Sequence, residues 1–287
     1  MLTTCVPQAS NACTLWAAAG DAVAGKGTLI AKNRDWTPDQ TQELRIVHPP
    51  KGYSSVSLVA GGGSEPGTKA GINEHGLVIV SATAGQYSRD ERRSNPQKPG
   101  LLRSLLAECA SVDEVLAKHD YFRRPVFYLM ADRTAIAILE VDGDGRMHVE
   151  KRHFGSLSHT NHFRYLDARA MRPPAPSSTT RLSRIEQLLK EHKGPFTHGD
   201  FIRFSEDRNA GPDNSIWRQG SEPAKTRTLA TWILAVPRHG SPVLYLKTAD
   251  PGQPEKTCTL VISDALKMNS GAIPLDSTPC KGVHSTP

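Results

Sequence analysis

Two neighbouring segments near the start of the chain hold residues suited to nucleophilic chemistry. Cys13 opens an apolar run that continues to position 19, and Asn33 and Asp35 end a second β-prone run that follows a glycine-containing turn. This pattern predicts two antiparallel strands, with the start of the first beside the end of the second. Cys13 and Asp35 are therefore expected to be close in space.

A thiol at this position needs a partner, because it is a useful nucleophile only when a nearby base or cation favours the thiolate. No histidine lies near Cys13 in the sequence, and the first one after it is His48. Cleavage between Ala12 and Cys13 would free an α-amine, with a reference pKa near ~8, to act as the base. Asp35 would orient that amine. The alternative is a buried structural cysteine, the commonest role of a lone Cys.

Four motifs follow one another in an order that is typical of a known family. They are Cys-Thr at positions 13–14 with NRDW at 33–36, GINEHGL at 71–77, SHTNHF at 158–163, and residues 207–216 followed by TLAT at 228–231. In these motifs the chain resembles the acyl-coenzyme A:6-aminopenicillanate acyltransferase family of N-terminal-nucleophile (Ntn) hydrolases. That family is related to choloylglycine hydrolases, penicillin V acylases and N-acylethanolamine acid amidase. The resemblance covers Cys13 to about Pro251.

The resemblance implies an α+β fold, a four-layer αββα sandwich of two packed, mainly antiparallel sheets. It also implies three catalytic residues: Cys13 as nucleophile, Asp35 as the group that holds the freed amine, and Asn161 as an oxyanion donor. A positioned amide donor of that kind contributes roughly 3–4 kcal/mol to lowering the barrier.

Four further residues are expected at the substrate site from the same resemblance. Thr83 ends a segment that would line the acyl pocket, and His162 would be a pocket residue and not the base. Lys32 stands three positions before Asp35, where related enzymes often have Arg, and Lys cannot reproduce the two-pronged contacts of a guanidinium group. Lys247 falls near a late-strand Arg of the bile-salt enzymes.

The remaining pattern predicts the elements that must position these residues. Helical spacing of leucines predicts a helix after Gly100, with Cys109 on its apolar face, and Ser111 begins a second helix. An irregular loop is expected at 172–178, with an amphipathic helix from Thr179. A helix is expected at 197–204. Strands are expected at 44–48, 56–60, 126–131, 135–140, 147–151, 227–234 and 243–247, and residues 71–80 are expected to form a strand, a tight turn at 73–76 and a second strand at 77–80.

Length and composition restrict the class of protein. The 287 residues fit one catalytic domain, 13–287, preceded by a propeptide, 1–12, which has no basic start or apolar core and is not a secretory signal. No run approaches a membrane span. The net charge is +6, and the Arg-rich segment 89–93 is interleaved with acids, which favours a solvated surface loop over nucleic-acid binding.

Cysteine and histidine usage indicates neither a cofactor nor a metal. The five cysteines are widely spread without a CxxC pair, and we expect Cys258 and Cys280 to be reduced thiols in a cytoplasmic protein, although they would pair in an oxidising compartment. A metal site built from His153, His159 and His162 is a minor alternative, since no carboxylate completes a zinc pattern.

The sequence thus predicts a self-processed amidase that acts on a small N-acyl amide substrate, with no nucleic-acid or membrane partner and with homo-oligomerisation left open. The alternative within enzymes is an acyltransferase that uses an acyl thioester. The alternative outside enzymes is a binding module on the same fold, with Cys13 uncleaved and inert.

Overall fold

The computed structural model describes residues 12–63, 65–167 and 172–276, together with Cys280. Most of the predicted propeptide, residues 1–11, therefore lies outside the described residues. The strands, in chain order, are β1 (Ala12–Ala19), β2 (Thr28–Trp36), β3 (Thr41–Val47), β4 (Ser55–Gly61), β5 (Gly67–Asn73), β6 (Val78–Thr83), β7 (Val126–Ala131), β8 (Ile136–Val141), β9 (Met147–Arg152), β10 (Gly155–His159), β11 (Arg227–Val236), β12 (Val243–Thr248), β13 (Lys256–Val261) and β14 (Gly271–Ile273).

The helices are short, apart from one of 16 residues. They are α1 (Arg89–Arg93), α2 (Leu101–Glu108), α3 (Val112–Leu116), α4 (Pro176–Glu191), α5 (His198–Ser205), α6 (Gly211–Asn214) and α7 (Ile262–Ala265), with 3-10 turns at Gly20–Ala22 and His119–Tyr121. None of these helices is both long and apolar enough to cross a membrane.

Two antiparallel sheets form the centre of the molecule. The six-stranded sheet has the order β10-β1-β2-β11-β12-β13, and the eight-stranded sheet has the order β14-β3-β4-β5-β6-β7-β8-β9. Their facing sides share one buried apolar cluster, in which Leu15 and Trp232 of the first sheet pack with Leu58 and Phe127 of the second. Period-two alternation along each strand explains how one face of a strand enters this cluster while the other meets the helices.

Helices cover the outer face of each sheet. On the eight-stranded sheet, Leu101 and Leu105 of α2 pack against Ile79 and Leu139. On the six-stranded sheet, the cluster of Trp16 and Ile233 takes in apolar residues of α4 and α5. The result is the predicted α+β sandwich of four layers.

Three predictions about local structure are corrected. The Arg-rich segment is not a loop: α1 begins after Ser88, whose side chain forms a capping box with Glu91. Helix α4 begins at Pro176, earlier than Thr179, because proline is well suited to the first turn of a helix. Cys258 and Cys280 form a disulfide, so the prediction of reduced thiols is wrong for this pair. Cys258 of β13 and Cys280 both lie in the buried core between the sheets.

Candidate active site

Strands β1 and β2 bring the predicted nucleophile and carboxylate together in a defined register. Cys13 lies opposite Arg34, and Ala12 lies opposite Asp35. Cys13 belongs to the apolar cluster between the sheets and therefore faces that core. Directly opposed residues share a face of the sheet, so Arg34 lies on the same face as Cys13. Asp35 faces the other way, toward the helices. The Cys13 and Asp35 side chains thus lie on opposite faces of the sheet, at adjacent positions of the strand pair.

Asn161, in the loop after β10, contacts the main chain of the nucleophile directly. Its Oδ1 accepts a hydrogen bond from the backbone N–H of Cys13 at 2.7 Å, and its Nδ2 donates to the carbonyl oxygen of Thr83 at 2.9 Å. Donors on one side and an acceptor on the other fix which amide atom is oxygen. An Asn Nδ2 carries two hydrogens, so one remains after the contact with Thr83.

Arg181, on α4, connects the members of this site. Its guanidinium is buried and donates to the Cys13 carbonyl at 2.6 Å, to Thr14 Oγ1 at 2.8 Å and to Asn161 Oδ1 at 3.2 Å. It also lies 4.0 Å from Asp35 Oδ2. Burial lowers the pKa of Arg181 to about 10, although Asp35 acts in the opposite direction. Arg181 therefore stays a cation at neutral pH.

Arg181 was not predicted, but the sequence carries a signal for it. It precedes Leu182 and stands four residues before Ile185, so helical spacing places it on the buried stripe and not on the charged face. A buried arginine in such a stripe requires a partner of opposite charge or several acceptors. Here Asp35 and the carbonyl of Cys13 meet that requirement.

Asp35 is fully buried among cations and a hydroxyl. Its Oδ1 accepts from Thr228 Oγ1 at 2.8 Å, and its Oδ2 lies 4.0 Å from Arg218. Burial raises the pKa of Asp35, while Arg181, Arg218 and the Thr228 hydrogen bond oppose that rise. The β2–β11 register shifts between Thr228 and Ala230, beside Asp35, and bulges of this kind commonly re-aim side chains near active sites.

The Cys13 side chain lines a cleft of about 430 Å³. Lys32 and Thr83, both predicted at the substrate site, line the same cleft. Lys32 donates to the carbonyl oxygens of Lys69 at 2.9 Å and Ser81 at 2.6 Å, and burial lowers its pKa to about 8. The full lining is Cys13, Lys32, Arg34, Trp36, Glu65, Pro66, Lys69, Ser81, Ala82, Thr83, Arg92, Arg93, Gln97, Arg124, Pro125, Val126 and Tyr128.

His162 and Lys247, the other two predicted substrate residues, do not line this cleft. His162 is buried beside α4, with Nδ1 2.8 Å from Ser178 Oγ, and burial is the main cause that lowers its pKa to about 4. Lys247 forms ion pairs with Glu206 at 3.0 Å and Glu255 at 2.8 Å. Their substrate roles stay predictions. Residues 207–216, part of the fourth motif of the resemblance, do not line the cleft either.

The two histidines that flank Asn161, His159 and His162, are buried and contact other protein side chains. His159 Nε2 lies 2.8 Å from Glu140 Oε1, and Glu140 also accepts backbone hydrogen bonds from residues 164, 165 and 166. Within the described ranges, no group of three or more His, Cys, Asp and Glu side chains is placed to hold a metal ion. Glu140 and His159 instead fix the loop that carries Asn161.

Comparisons with known proteins agree with this architecture. The model of the acyl-coenzyme A:6-aminopenicillanic acid acyl-transferase family matches residues 23–253, a span that begins after Cys13. No sequence among the curated proteins matches the chain.

Similar solved structures include a mutant of the conjugated bile acid hydrolase from Clostridium perfringens, with a TM-score of 0.59 at 13% identity over 91% of this chain and 96% of that one. The Caenorhabditis elegans ortholog of N-acylethanolamine-hydrolyzing acid amidase has a TM-score of 0.52 at 12% identity, over 91% of this chain and 100% of the other. At such identities the likeness shows the fold.

Proposed function

The chain belongs to the acyl-coenzyme A:6-aminopenicillanic acid acyl-transferase family, and we propose that it is a self-processed N-terminal-cysteine amidohydrolase. It would cleave a linear carbon–nitrogen bond of an N-acyl substrate through an acyl-enzyme thioester. The observation that carries this proposal is the double placement of Cys13, whose side chain lines a cleft while its backbone nitrogen is held at 2.7 Å by Asn161. Both solved relatives named above are hydrolases by name, which supports the reaction class.

Processing is the first proposed step. The Cys13 thiolate attacks the carbonyl carbon of Ala12, the C–S bond forms, and the C–N bond to Cys13 breaks as its nitrogen takes up a proton. Water then hydrolyses the resulting thioester and releases residues 1–12. Asn161 Oδ1 remains a suitable acceptor for the new amine, since it already accepts from that nitrogen in the intact chain.

Asp35 has an atom suited to the same amine. Its Oδ2 is buried and has no hydrogen-bond partner among the described residues, whereas its Oδ1 is taken by Thr228. A buried acceptor without a hydrogen bond is costly even beside cations, and a new ammonium at Cys13 would supply that hydrogen bond. This supports the proposed role of Asp35 in orienting the α-amine that acts as the base.

Turnover follows from the same groups. The α-amine takes the proton of the Cys13 thiol as the sulfur attacks the substrate carbonyl carbon and the C–S bond forms. The C–N bond then breaks as the amine gives that proton to the leaving nitrogen, and water hydrolyses the acyl-enzyme to free acid and thiol. We assign the remaining hydrogen of Asn161 Nδ2 to the oxyanion of the tetrahedral intermediate, where such a donor contributes roughly 3–4 kcal/mol. No step in this sequence requires a metal or an organic cofactor.

Intact-mass measurement tests the proposal. We expect the purified protein to lack residues 1–12 and Cys13→Ala to retain them. Cys109→Ala is the matched control, because Cys109 is the other free cysteine of the described residues and is buried in a separate cluster. A chain that keeps residues 1–12 and does not react with thiol reagents would instead support a non-catalytic binding module.

The matching family model supports a second candidate function, transfer of an acyl group from a thioester to an amine. The two reactions share the acyl-enzyme and differ in what releases it. Processed enzyme should be given an N-acyl amine or an acyl-coenzyme A with increasing concentrations of a competing amine. Release of free acid at all amine concentrations supports the hydrolase, and conversion to the new amide supports the acyltransferase.

A further inference from the structure

The cleft beside Cys13 is lined by an excess of positive charge. Among the described residues that line it, the only carboxylate is that of Glu65, which pairs with Arg92 at 3.2 Å. The six cationic side chains of the lining are Lys32, Arg34, Lys69, Arg92, Arg93 and Arg124. Apart from Arg92, none of them has a carboxylate within 4.0 Å among the described residues.

Two of these cations lie deep in the protein, on the same face of the strand pair as Cys13. Lys32 is 2% exposed and Arg34 is 1% exposed. Lys32 is held only by carbonyl oxygens, and Arg34 donates through Nη2 to Gln40. The Nε and Nη1 atoms of Arg34 are buried without a hydrogen-bond partner among the described residues. Buried charges are normally paired, and neither of these two cations has a carboxylate within 4.0 Å among the described residues.

Lys69, on β5, shows the same deficit. Burial, followed by the neighbouring charges of Arg34 and Lys32, lowers its pKa to about 7. Lys69 contacts the face of Trp36, with Nζ 6.0 Å from the ring centroid. An anion placed among Lys32, Arg34 and Lys69 would relieve their mutual repulsion and raise the pKa of each lysine.

We propose that this cleft holds a carboxylate on the acyl part of the substrate, so that the enzyme prefers short acyl groups that end in an acid. This inference rests on the proposed function. The acyl side is favoured because Lys32 and Arg34, the most buried cations of the cleft, lie on the same face of the strand pair as the Cys13 nucleophile. The acyl group stays bound there between the two chemical steps, while the leaving amine must depart to solvent.

A binding experiment tests the site without requiring catalysis. In a Cys13→Ala variant that is expressed without residues 1–12, calorimetry should compare glutarate with neutral glutaramide, which has nearly the same shape. We expect glutarate to bind at least tenfold more tightly, and Lys69→Gln to remove most of that difference. Lys193→Gln is the control for net charge, since Lys193 is exposed and lies outside the cleft. Arg34→Met should act like Lys69→Gln if it folds.

Equal binding of glutarate and glutaramide would overturn the proposal, as would full glutarate affinity in Lys69→Gln. Inorganic phosphate that binds as tightly as glutarate would also overturn it, because the site would then be a general anion site.

A kinetic experiment separates this inference from the proposed function. Processed enzyme should be given N-glutaryl and N-pentanoyl p-nitroanilides, and an N-pentanoyl aminobenzoate that carries its charge on the amine side. We expect the glutaryl compound to have the highest kcat/KM by at least tenfold, with the advantage lost in Lys69→Gln through KM. Cleavage of the pentanoyl anilide with equal efficiency contradicts the inference and leaves the function intact. Glutarate binding without cleavage of any amide contradicts the function and leaves the site intact.

Discussion

At Asp35, burial and two arginines act in opposite directions on one carboxylate. Burial raises its pKa, and the positive charges of Arg181 and Arg218 lower it. The same carboxylate is the counter-ion of both arginines, each 4.0 Å away. Asp35 is therefore as important for the stability of this region as for the proposed orientation of the amine.

We expect Asp35→Asn to abolish processing and to lower the free energy of unfolding by about 3 kcal/mol, because two buried cations lose their counter-ion. Urea denaturation and intact mass measure the two effects. Adding Arg218→Met to this variant should restore part of the stability without restoring processing. Wild-type stability in Asp35→Asn would show that the arginines do not depend on this charge.

Lys69 provides a prediction about pH and stability in the ligand-free protein. It faces Lys32, Arg34, Glu65 and Cys13, and its pKa is lowered from 10.5 to about 7. Because the folded state binds this proton less well than the unfolded state, the cost of a charged Lys69 is fully present below pH 7. That cost disappears as the pH rises toward 10.5.

Lys69→Met should therefore raise the free energy of unfolding by about 1 kcal/mol at pH 6, with a gain that shrinks toward pH 10. Urea denaturation at several pH values measures the gain, with Lys193→Met as the control. If the variant were no more stable than wild type at pH 6, or if its added stability grew with pH, repulsion of Lys69 by Lys32 and Arg34 would be contradicted. If Lys69→Met is more stable than wild type and also loses glutarate binding, Lys69 serves the binding site at a cost to stability.

At the scale of elements, strand pairing could be predicted from the sequence and the contribution of α4 could not. Apolar runs and turn residues were enough to predict β1 and β2 and that the start of one lies beside the end of the other, whereas the register that places Cys13 opposite Arg34 came from the structure. Asn161 accepts a hydrogen bond from Arg181, and Asp35 accepts one from Thr228, a residue far along the chain from it. Local periodicity carries no information on such pairings, because they depend on how α4 and β11 dock on the sheet.

Helix α4 positions the proposed oxyanion donor through its first turn. Ser178 Oγ accepts from the backbone N–H of Asn161 at 2.9 Å and donates to Thr160 Oγ1 at 3.0 Å. The loop that carries Asn161 is thus held by α4 on one side and by Glu140 on the other. We expect both contacts to help keep the Asn161 amide against Cys13.

Ser178→Ala should lower kcat about tenfold with little change in KM, since a small displacement of a catalytic group is costly. It should also destabilise the protein by about 1–3 kcal/mol, because a buried N–H loses its partner. Thr179→Ala is the control: its exposed hydroxyl contacts only Pro176. A parallel rise in KM, or an unchanged kcat, would show that Ser178 does not position Asn161.

At the scale of the whole molecule, the disulfide lies far from the chemistry. Cys258 is on β13, the edge strand of the six-stranded sheet, and β2, β11 and β12 separate it from β1. Neighbouring strands are about 4.8 Å apart, which places the disulfide roughly 19 Å from the Cys13 strand. Its contribution is therefore expected to be to stability and not to catalysis.

The disulfide closes a loop with a sequence separation of 22, and a loop of that length corresponds to about 3 kcal/mol of stabilisation in the chain-entropy description. Cys258→Ala with Cys280→Ala should lower the free energy of unfolding by about that amount. The kcat of the folded fraction and the loss of residues 1–12 should remain unchanged, because β1, β2 and α4 hold the site without help from β13. No residue of β13 lines the Cys13 cleft. If the folded double variant failed to lose residues 1–12, β13 would be one of the elements that shape the cleft, which would contradict this prediction.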